Sequence, residues 1–395
     1  MLHLALKTDI LVISFNLTYQ KARDLVLIIM RKLFIFTCLL MLSAYGNAQI
    51  VSLTNAEIEG LQHDIDSNNP AQSTYKKVFN PFLISAQQAI IATPDPIAQI
   101  QSQGLLEGNP AKIASTRAVE DAYKVYSLAL VYRLYHDKGY FAKAIEFLLA
   151  WSNTNKASGD PINETKLEDM ITGYDLIREQ SSPQNKKIID NWLESIADAE
   201  VNSASAKPGK GTAINNWNSH RIKIITLIAY TLHTKKYDGI ITAELEKQLA
   251  VNLNTDGTTH DFVERDAFHY HTYDLEPLLT TCIAIYRATG KDYFNYQTPS
   301  GASIKKCVDF MVPYMLGDKT HGEFVNSTVP FDVKRAQNNE KGYKAGMLFN
   351  PESGLYTLSL AAYFNPDYVA VIKRTMVKTP DYFNWQLALN SVKIK

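Results

Sequence analysis

The chain has 395 residues, with 40 basic and 40 acidic side chains and a formal net charge of zero. This balance excludes an overall excess of positive charge of the kind that marks nucleic-acid-binding proteins. Hydrophobic residues make up 46%, which is ordinary for a globular protein with a real core. Tyrosine is abundant, with 22 copies, and favours sugar binding because its ring packs against a pyranose while its hydroxyl bonds to the sugar edge.

Residues 30–48 are typical of a secretory signal peptide. They begin with Met-Arg-Lys, continue through the apolar stretch Leu33–Leu42, and end in Gly-Asn-Ala before Gln49. The apolar part is too short for a typical membrane span. We therefore expect cleavage after Ala48 and export to the periplasm or beyond, with no stable membrane insertion afterwards.

The residues before Met30 do not fit this arrangement, because a signal peptide seldom begins after such a segment. We interpret residues 1–29 as an upstream extension foreign to the native protein, and residues 49–395 as the mature domain. A competing interpretation is one membrane anchor over Leu25–Leu42, but the charged pair Arg31 and Lys32 interrupts it.

The patterning beyond residue 48 is helical throughout. Apolar residues at three- and four-residue steps give the strongest helix prediction over residues 115–137. Similar patterns predict further helices over residues 54–67, 71–92, 140–151, 163–179, 183–200, 217–234, 240–252, 273–289, 300–316, 352–363, 366–376 and 381–390. Residues 318–350 are irregular, and we expect either a long functional loop or a small strand insertion there.

Strand signals are scarce and no Gly/Ser or Pro linker divides the chain, so we predict one large all-α domain. Helices joined by short turns indicate stacked antiparallel pairs, and the lack of a fixed repeat favours a closed α/α toroid over a solenoid. Cys282 and Cys307 lie in apolar helical patterns, which favours two buried thiols, with a disulfide as the alternative. No Cys/His spacing fits zinc, and His269 and His271 do not share a helix face, so we expect no metal or cofactor.

The first motif is Asn-Asn-Trp-Asn-Ser-His-Arg at residues 215–221. It follows a Lys/Gly loop and opens an apolar helical pattern. Asn is a frequent N-cap, so we place Asn215 and Asn216 at a helix entrance, with His220 and Arg221 in the first turns. A helix start has unpaired N–H groups and a partial positive charge, so this motif predicts a place for a carboxylate.

The second motif, residues 261–274, is crowded with groups that ionise or donate hydrogen bonds. His269 and His271 flank Tyr270, and this combination suits proton transfer. Each residue taken singly also has a structural interpretation. Tyr270 would then be a packed helix aromatic, and His220 of the first motif a core imidazole bonded to a carbonyl.

Taken together, the two motifs resemble the alginate-lyase group of polysaccharide lyases. The resemblance rests on residues 215–221 and 269–278, with support from residues 117–123, 164–167 and 174–176, and it covers about residues 115–290. It implies an α/α toroid of about six or seven helical hairpins, complete or incomplete. It also implies β-elimination of a uronic-acid polysaccharide, with alginate expected first and glucuronan second. The chain departs from the familiar motif because Trp217, Asn218 and Ser219 separate the paired Asn from His.

The resemblance implies a catalytic His and Tyr, which we carry onto His220 and Tyr270 without deciding which is the base. It also implies Asn and Arg donors for the substrate carboxylate, here Asn216, Asn218 and Arg221. The structural interpretations are capping for the Asn residues and a salt bridge for Arg221. Further substrate-binding candidates are Arg265, His271, Arg117 and Tyr123, and the polar late-loop residues His321, Glu323, Asn326, Lys334 and Arg335. For Arg265 an ion pair with a neighbouring acid is favoured, and for the late loop a solvated surface.

Two other functions stay open at this point. An inverting glycoside hydrolase needs two carboxyl groups flanking the scissile bond, which Glu264, Asp266, Asp274 and Glu276 could supply. A non-catalytic periplasmic glycan-binding protein would hold an oligosaccharide without shortening it. The expected partner in every case is an acidic polysaccharide or oligosaccharide. The two dense motifs favour an enzyme, because binding alone needs no His/Tyr pair.

Overall fold

The computed structural model describes residues 51, 53–379 and 382–393. The predicted extension and signal peptide, residues 1–29 and 30–48, lie outside the described residues. Within the described part of the chain, no helix combines the length and apolar character needed to cross a bilayer.

The described residues fold into helices joined mostly by short turns. Those of the first half are α1 (Asn55–Asp66), α2 (Ser73–Ala89), α3 (Pro110–Ala118), α4 (Glu120–Tyr135), α5 (Lys138–Thr154), α6 (Pro161–Glu164), α7 (Glu168–Ile177) and α8 (Pro183–Val201). Those of the second half are α9 (Asn216–Thr231), α10 (Asp238–Asn252), α11 (His260–Arg265), α12 (Phe268–Thr289), α13 (Ile304–Met315), α14 (Pro330–Gln337), α15 (Leu355–Ala361), α16 (Asp367–Thr375) and α17 (Trp385–Ser391).

Helix boundaries follow local chemistry where the sequence supplies it. Pro183 opens α8 behind the N-cap Ser182, whose hydroxyl accepts from the Asn185 amide. Helix α12 begins five residues earlier than predicted, so the second motif is itself helical. The expected irregular region 318–350 contains α14 and one isolated β-bridge between Gly322 and Leu348. Among the described residues of this region there is no strand longer than that bridge.

The helices form an inner and an outer layer. Helices α4, α7, α9, α12 and α15 are buried on most of their surface, whereas α5, α8, α10, α13 and α16 bury mainly one face. Neighbouring inner helices pack on each other, and each packs on outer helices. This arrangement confirms the predicted all-α fold and the α/α toroid.

The inner helices run in one direction, which brings their N-termini to the same end of the toroid. Ser219 near the start of α9 donates to Asp274 near the start of α12 at 2.6 Å. Glu276 of α12 accepts from Thr357 near the start of α15 at 2.9 Å. Parallel helix dipoles therefore give this end of the toroid a partial positive charge, which suits an anionic polymer.

Close packing of the inner layer depends on one glycine. A Cβ atom at Gly173 in α7 would lie 2.9 Å from the Cα and N atoms of Tyr126 in α4. Only a residue without Cβ allows these two backbones to approach so closely. Cys282 on α12 and Cys307 on α13 are free, buried thiols, as the sequence favoured.

Candidate active site

The start of helix α9 is capped as predicted, but its donors are already used. The Asn215 side chain accepts from the Trp217 amide at 3.1 Å. Asn216 donates its backbone N–H to Asp261 at 2.8 Å and its side-chain amide to the same carboxylate. Asp261 is fully buried, and burial raises its pKa to about 6. An internal carboxylate therefore takes the place that the sequence assigned to the substrate.

Asn218 and Arg221 point into the protein, away from any polymer. Arg221 is 2% exposed and forms an ion pair with Glu244, and its Nε donates to Asn218 at 2.7 Å. The Asn218 amide in turn donates to Gln248 at 2.9 Å. Buried charges are retained when they are paired and hydrogen-bonded, so these contacts give both residues a structural role. These contacts favour the structural interpretations of Asn218 and Arg221 over a role in holding the substrate carboxylate.

His220 lies in the second turn of α9 with a defined set of neighbours. Its Nδ1 is 2.9 Å from the Thr165 hydroxyl, and its ring centroid is 4.5 Å from that of Tyr273. Its Nε2 is buried without a hydrogen bond of good geometry among the described residues. The Tyr273 backbone lies close to the ring, and its carbonyl lacks its helical donor because Pro277 has no N–H.

The charge state of His220 follows from this environment. Burial lowers its pKa well below the ordinary value, and the positive charges of Lys223 and Lys166 lower it further. The Tyr273 backbone favours a protonated ring only weakly and does not offset these effects. The imidazole is therefore neutral at neutral pH.

Tyr270 lies between two guanidinium groups. Arg335 donates to its hydroxyl oxygen at 2.7 Å, and the central carbon of the Arg265 guanidinium lies 3.8 Å from its ring centroid. Arg265 forms an ion pair with Asp332 at 2.5 Å. The sequence favoured an ion pair with an acid next to Arg265 in the chain, whereas the actual partner is 67 residues away in sequence. These positive charges would stabilise negative charge on the Tyr270 oxygen.

A second phenol shares this arrangement. The Tyr343 hydroxyl accepts from Arg335 and lies 3.1 Å from His269 Nε2. Burial, with the nearby Arg335 and Arg265 charges, lowers the pKa of His269 to about 4. His269 is thus neutral, and it positions Tyr343 rather than adding charge to the site.

Two sequence candidates lie elsewhere. His271 is fully buried and uses both ring nitrogens, at 3.1 Å from the Thr259 hydroxyl and 3.0 Å from the Cys307 carbonyl. It therefore supports the core and does not line the cleft as we expected. Arg117 lies on the surface, in an ion pair with Asp95 at 2.8 Å.

His220 and Tyr270 come together through a residue that the sequence argument did not single out. The Tyr273 ring lies 6.2 Å from the Tyr270 ring and also packs on His220. Tyr273 stands three residues after Tyr270, on the same helix face, so helical spacing was an available signal. Burial raises the pKa of Tyr273 above its ordinary value, which keeps this phenol protonated.

Two more polar residues reach this end of the toroid from the α6–α7 turn. Asn163 accepts three hydrogen bonds at its Oδ1, from the Ser102 amide, the Ser102 hydroxyl and the Gln103 amide, at 2.9–3.1 Å. Its Nδ2 has no partner among the described residues. Lys166 acts on His220 through its charge, and burial together with Lys112 lowers the Lys166 pKa. The sequence analysis assigned neither residue a ligand role, although Lys166 lies in segment 164–167, which supports the family resemblance.

A cavity lies farther along the inner helices. Its volume is about 360 Å³, and it is lined by Leu227, Thr280 and Arg287, with the carboxylates of Glu168 and Asp169 on one wall. Acidic groups repel a polyuronate, so this cavity fits the substrate less well than the cationic end at Arg335 and Lys166. Among the described residues, no group of three or more His, Cys, Asp or Glu side chains is placed to hold a metal ion.

Two of the four carboxyl groups considered for hydrolysis, Asp274 and Glu276, already bind groups of the protein. Asp274 is fully buried against Ser219, and burial with neighbouring Asp261 raises its pKa. Glu276 accepts from Thr357 farther along α12. The site contains a phenol and an imidazole instead, which can transfer protons. It also contains several cations, which can stabilise a carboxylate.

Comparison with known proteins gives the same picture. A family model described as alginate lyase matches residues 56–321, which include both motifs. No curated protein matches the chain. An alginate lyase structure from Bacteroides ovatus has 17% identity and a TM-score of 0.62, over 88% of this chain and 100% of that one.

A second similar structure is alginate lyase A1-III from Sphingomonas species A1. It has 17% identity and a TM-score of 0.51, over 69% of this chain and 80% of that one. A variant of A1-III complexed with a tetrasaccharide has 16% identity and the same TM-score. At these identities the structural matches show the shared fold, and the family match covers most of the chain. The chain therefore belongs to the alginate lyase family and is a polysaccharide lyase.

Proposed function

We propose that this protein cleaves alginate by β-elimination at the site formed by His220, Tyr270 and Arg335. The observation that carries the proposal is the 2.7 Å hydrogen bond from Arg335 to the Tyr270 hydroxyl, on the side of the toroid where His220 lies. Glucuronan, which presents the same carboxylate beside the same ring proton, is the second candidate substrate.

The reaction determines which groups are needed. A base removes the proton from the sugar carbon next to the carboxylate, and the electron pair left behind forms a double bond to the adjacent carbon. The glycosidic oxygen leaves with the electrons of the broken bond and takes up a proton. Negative charge builds up on the carboxylate as the first proton leaves, so donors aimed at it lower the barrier.

Tyr270 is the group that transfers the protons. A phenol that has delivered its proton to the leaving oxygen carries negative charge, and Arg335 and Arg265 stabilise this charge from the edge and the face of the ring. In each turnover this ionised oxygen first takes the proton next to the carboxylate, and the phenol formed in that step then delivers the proton to the leaving glycosidic oxygen, which restores the ionised state. Tyr273 adjoins both Tyr270 and His220 and stays protonated.

His220 takes part as a neutral imidazole. Thr165 fixes its ring through Nδ1, and burial keeps the ring uncharged, so it does not act as a cationic partner of the substrate carboxylate. A neutral ring can either accept a proton or donate a hydrogen bond from Nε2. His220 is therefore the second proton-transfer candidate, after Tyr270.

Asn163 and Lys166 hold the sugar carboxylate in this proposal. The three bonds accepted by the Asn163 Oδ1 fix the orientation of its amide, which leaves Nδ2 as an unused donor. Lys166 adds a positive charge beside the site. It directly follows Thr165, whose hydroxyl contacts His220. These residues replace Asn216, Asn218 and Arg221, whose donors bind protein groups.

A substrate screen tests the proposal. The purified protein is incubated with alginate, polymannuronate, polyguluronate and glucuronan, and the products are followed by ultraviolet absorbance and mass. Elimination leaves a conjugated unsaturated uronate that absorbs ultraviolet light, whereas a hydrolase gives shorter products with one added water and no absorbance. Shortened products without absorbance, or no shortening of any polyuronate, would contradict the proposal.

Export to the periplasm or beyond forms part of the proposal, because a long polymer meets a secreted enzyme outside the cytoplasm. The support is the signal-peptide pattern of residues 30–48. Cell fractionation of the native host, with the N-terminus of the mature protein determined by sequencing, tests it. An N-terminus upstream of Met30 would contradict this part.

A further inference from the structure

Two loops of the chain are bonded to each other: the first precedes α3 and contains Ser102, Gln103 and Glu107, and the second follows α14 and contains Asn338 and Glu340. The Glu107 amide donates to Glu340 Oε1 at 2.8 Å, and Asn338 Nδ2 donates to the Glu107 carbonyl at 3.1 Å. Both contacts use the Glu107 main chain, so the first loop is held through its backbone. We call this pair of contacts the Glu340 bridge.

The first loop is anchored on the His220 side of the site. The amides of Ser102 and Gln103 donate to Asn163 at 2.9 and 3.1 Å. Asn163 lies two residues before Thr165, which contacts His220. The loop therefore extends from the wall beside His220 to the Glu340 bridge.

The second loop is anchored on the Tyr270 side by Arg335, which lies near the end of α14, just before this loop. Arg335 donates to Tyr270, and its Nε lies 3.5 Å from Glu340 Oε2. The Glu340 side chain is only 3% exposed. A buried carboxylate is costly without partners, so the Glu107 amide and Arg335 favour the closed bridge. Both Arg335 and Glu340 lie beyond residues 56–321, the part of the chain that matches the family.

The two anchors complete a ring of contacts. Tyr273 packs on both His220 and Tyr270, and the Glu340 bridge joins the two loops that are anchored beside these residues. A long polymer can be laid sideways into an open groove at any point along its length, but it can enter a closed ring only by an end. We propose that the Glu340 bridge makes this enzyme act from the ends of its polymer. This inference rests on the proposed function.

The test compares viscosity with ultraviolet absorbance during digestion of long alginate. Cutting from the ends releases unsaturated sugars while the chains stay long, so absorbance rises early and viscosity falls late. Internal cutting lowers viscosity at once. We expect the wild-type protein to show the first behaviour, with products of one or two sugars from the first time point.

Opening the bridge should change this relationship. A variant lacking residues 104–107 removes both Glu107 contacts. Asn338→Ala removes the bonds from Asn338 Nδ2 to the Glu107 carbonyl and to Glu340 Oε1, while the Glu107 amide and Arg335 keep Glu340 in place. Both should lower viscosity several-fold more for the same absorbance, the deletion more strongly. Lys341→Ala, an exposed change in the second loop, is the matched control and should behave as wild type.

The outcomes separate the two proposals. Absorbance accompanied by an early fall of viscosity in the wild-type protein would overturn action from chain ends and leave the elimination intact. End-wise action unchanged in both bridge variants would overturn the role of the Glu340 bridge. Absence of absorbance on every polyuronate would overturn the proposed function and this inference with it.

Discussion

The hydroxyl of Tyr270 accepts a hydrogen bond from Arg335, which lies in helix α14, 65 residues farther along the chain. The contact joins a helix of the inner layer to a segment that the sequence presented as irregular. The positively charged guanidinium therefore lies 2.7 Å from the oxygen atom that we expect to gain and lose protons. The first two predictions concern this contact.

Replacing Tyr270 with Phe should abolish eliminase activity and leave the fold intact, because the change removes only the hydroxyl. The measurement is absorbance at saturating alginate, with circular dichroism as the check on folding. Tyr343→Phe is the matched control, since Tyr343 also accepts from Arg335. It should keep most of the activity. Wild-type rates in Tyr270→Phe would remove Tyr270 from the mechanism.

Replacing Arg335 with Ala should lower kcat by roughly 10²–10³, the usual cost of losing one donor that stabilises charge in the transition state. Arg335→Lys should recover part of this loss, because Lys keeps the charge without the planar fork. Lys334→Ala, at the exposed neighbouring position, should leave kcat unchanged. An Arg335→Ala enzyme with normal kcat and a raised KM would instead indicate a role in binding alone.

The acid limb of the profile of kcat/KM against pH should lie below pH 6.5. Burial, Lys223 and Lys166 lower the pKa of His220, so the folded protein keeps this ring neutral at a pH where an ordinary His is half protonated. Activity that depends on the neutral ring is therefore present above the lowered pKa and is lost only on further acidification. A limb centred at or above pH 6.5 that disappears in His220→Gln would contradict this assignment.

Replacing Asn163 with Asp should weaken activity on free alginate more than on its methyl ester. The variant keeps an oxygen for the Ser102 and Gln103 donors but exchanges the free Nδ2 for a negatively charged oxygen. A charged substrate carboxylate is then repelled, whereas an ester is not. The measurement is kcat/KM on both substrates for the wild type and the variant. Equal losses would count against the contact with the carboxylate.

Replacing Arg221 with Met should act on stability. The change leaves Glu244 and Asn218 without their buried partner, and breaking a buried ion pair of this kind costs about 3–5 kcal/mol. We expect a lower urea midpoint, with the residual folded protein equally active on free and esterified substrate. Normal stability together with a loss confined to free alginate would restore Arg221 as a substrate ligand.

The helical architecture could be predicted because it depends on periodicity and on local caps. Apolar spacing indicated most of the helices, and Asn215 was correctly expected at the start of α9. The residues of the two motifs lie together at one end of the toroid, since α9 and α12 are adjacent and parallel. The helix α3 was missed, because its apolar pattern is weak and its Pro110 start follows a long loop.

Which polar residues face a substrate could not be predicted. Asn216, Arg221 and His271 have the chemistry of ligands, but each is consumed by a buried partner: Asp261, Glu244 and the Cys307 carbonyl, respectively. Sequence spacing gives the helix face of a residue and says nothing about a partner tens of residues away. Burial of a charged group requires such a partner, and only the packed structure supplies it.

The sequence by itself determined the helical class and the two motifs that contain the imidazole and phenol of the proposed site, because these depend on residue type and on spacing within single helices. The tertiary structure brought Arg335 to Tyr270, Lys166 close to His220, and Glu340 to the loop at Glu107. Contacts between distant segments depend on how the helices are packed in space, and a one-dimensional pattern carries no record of that packing.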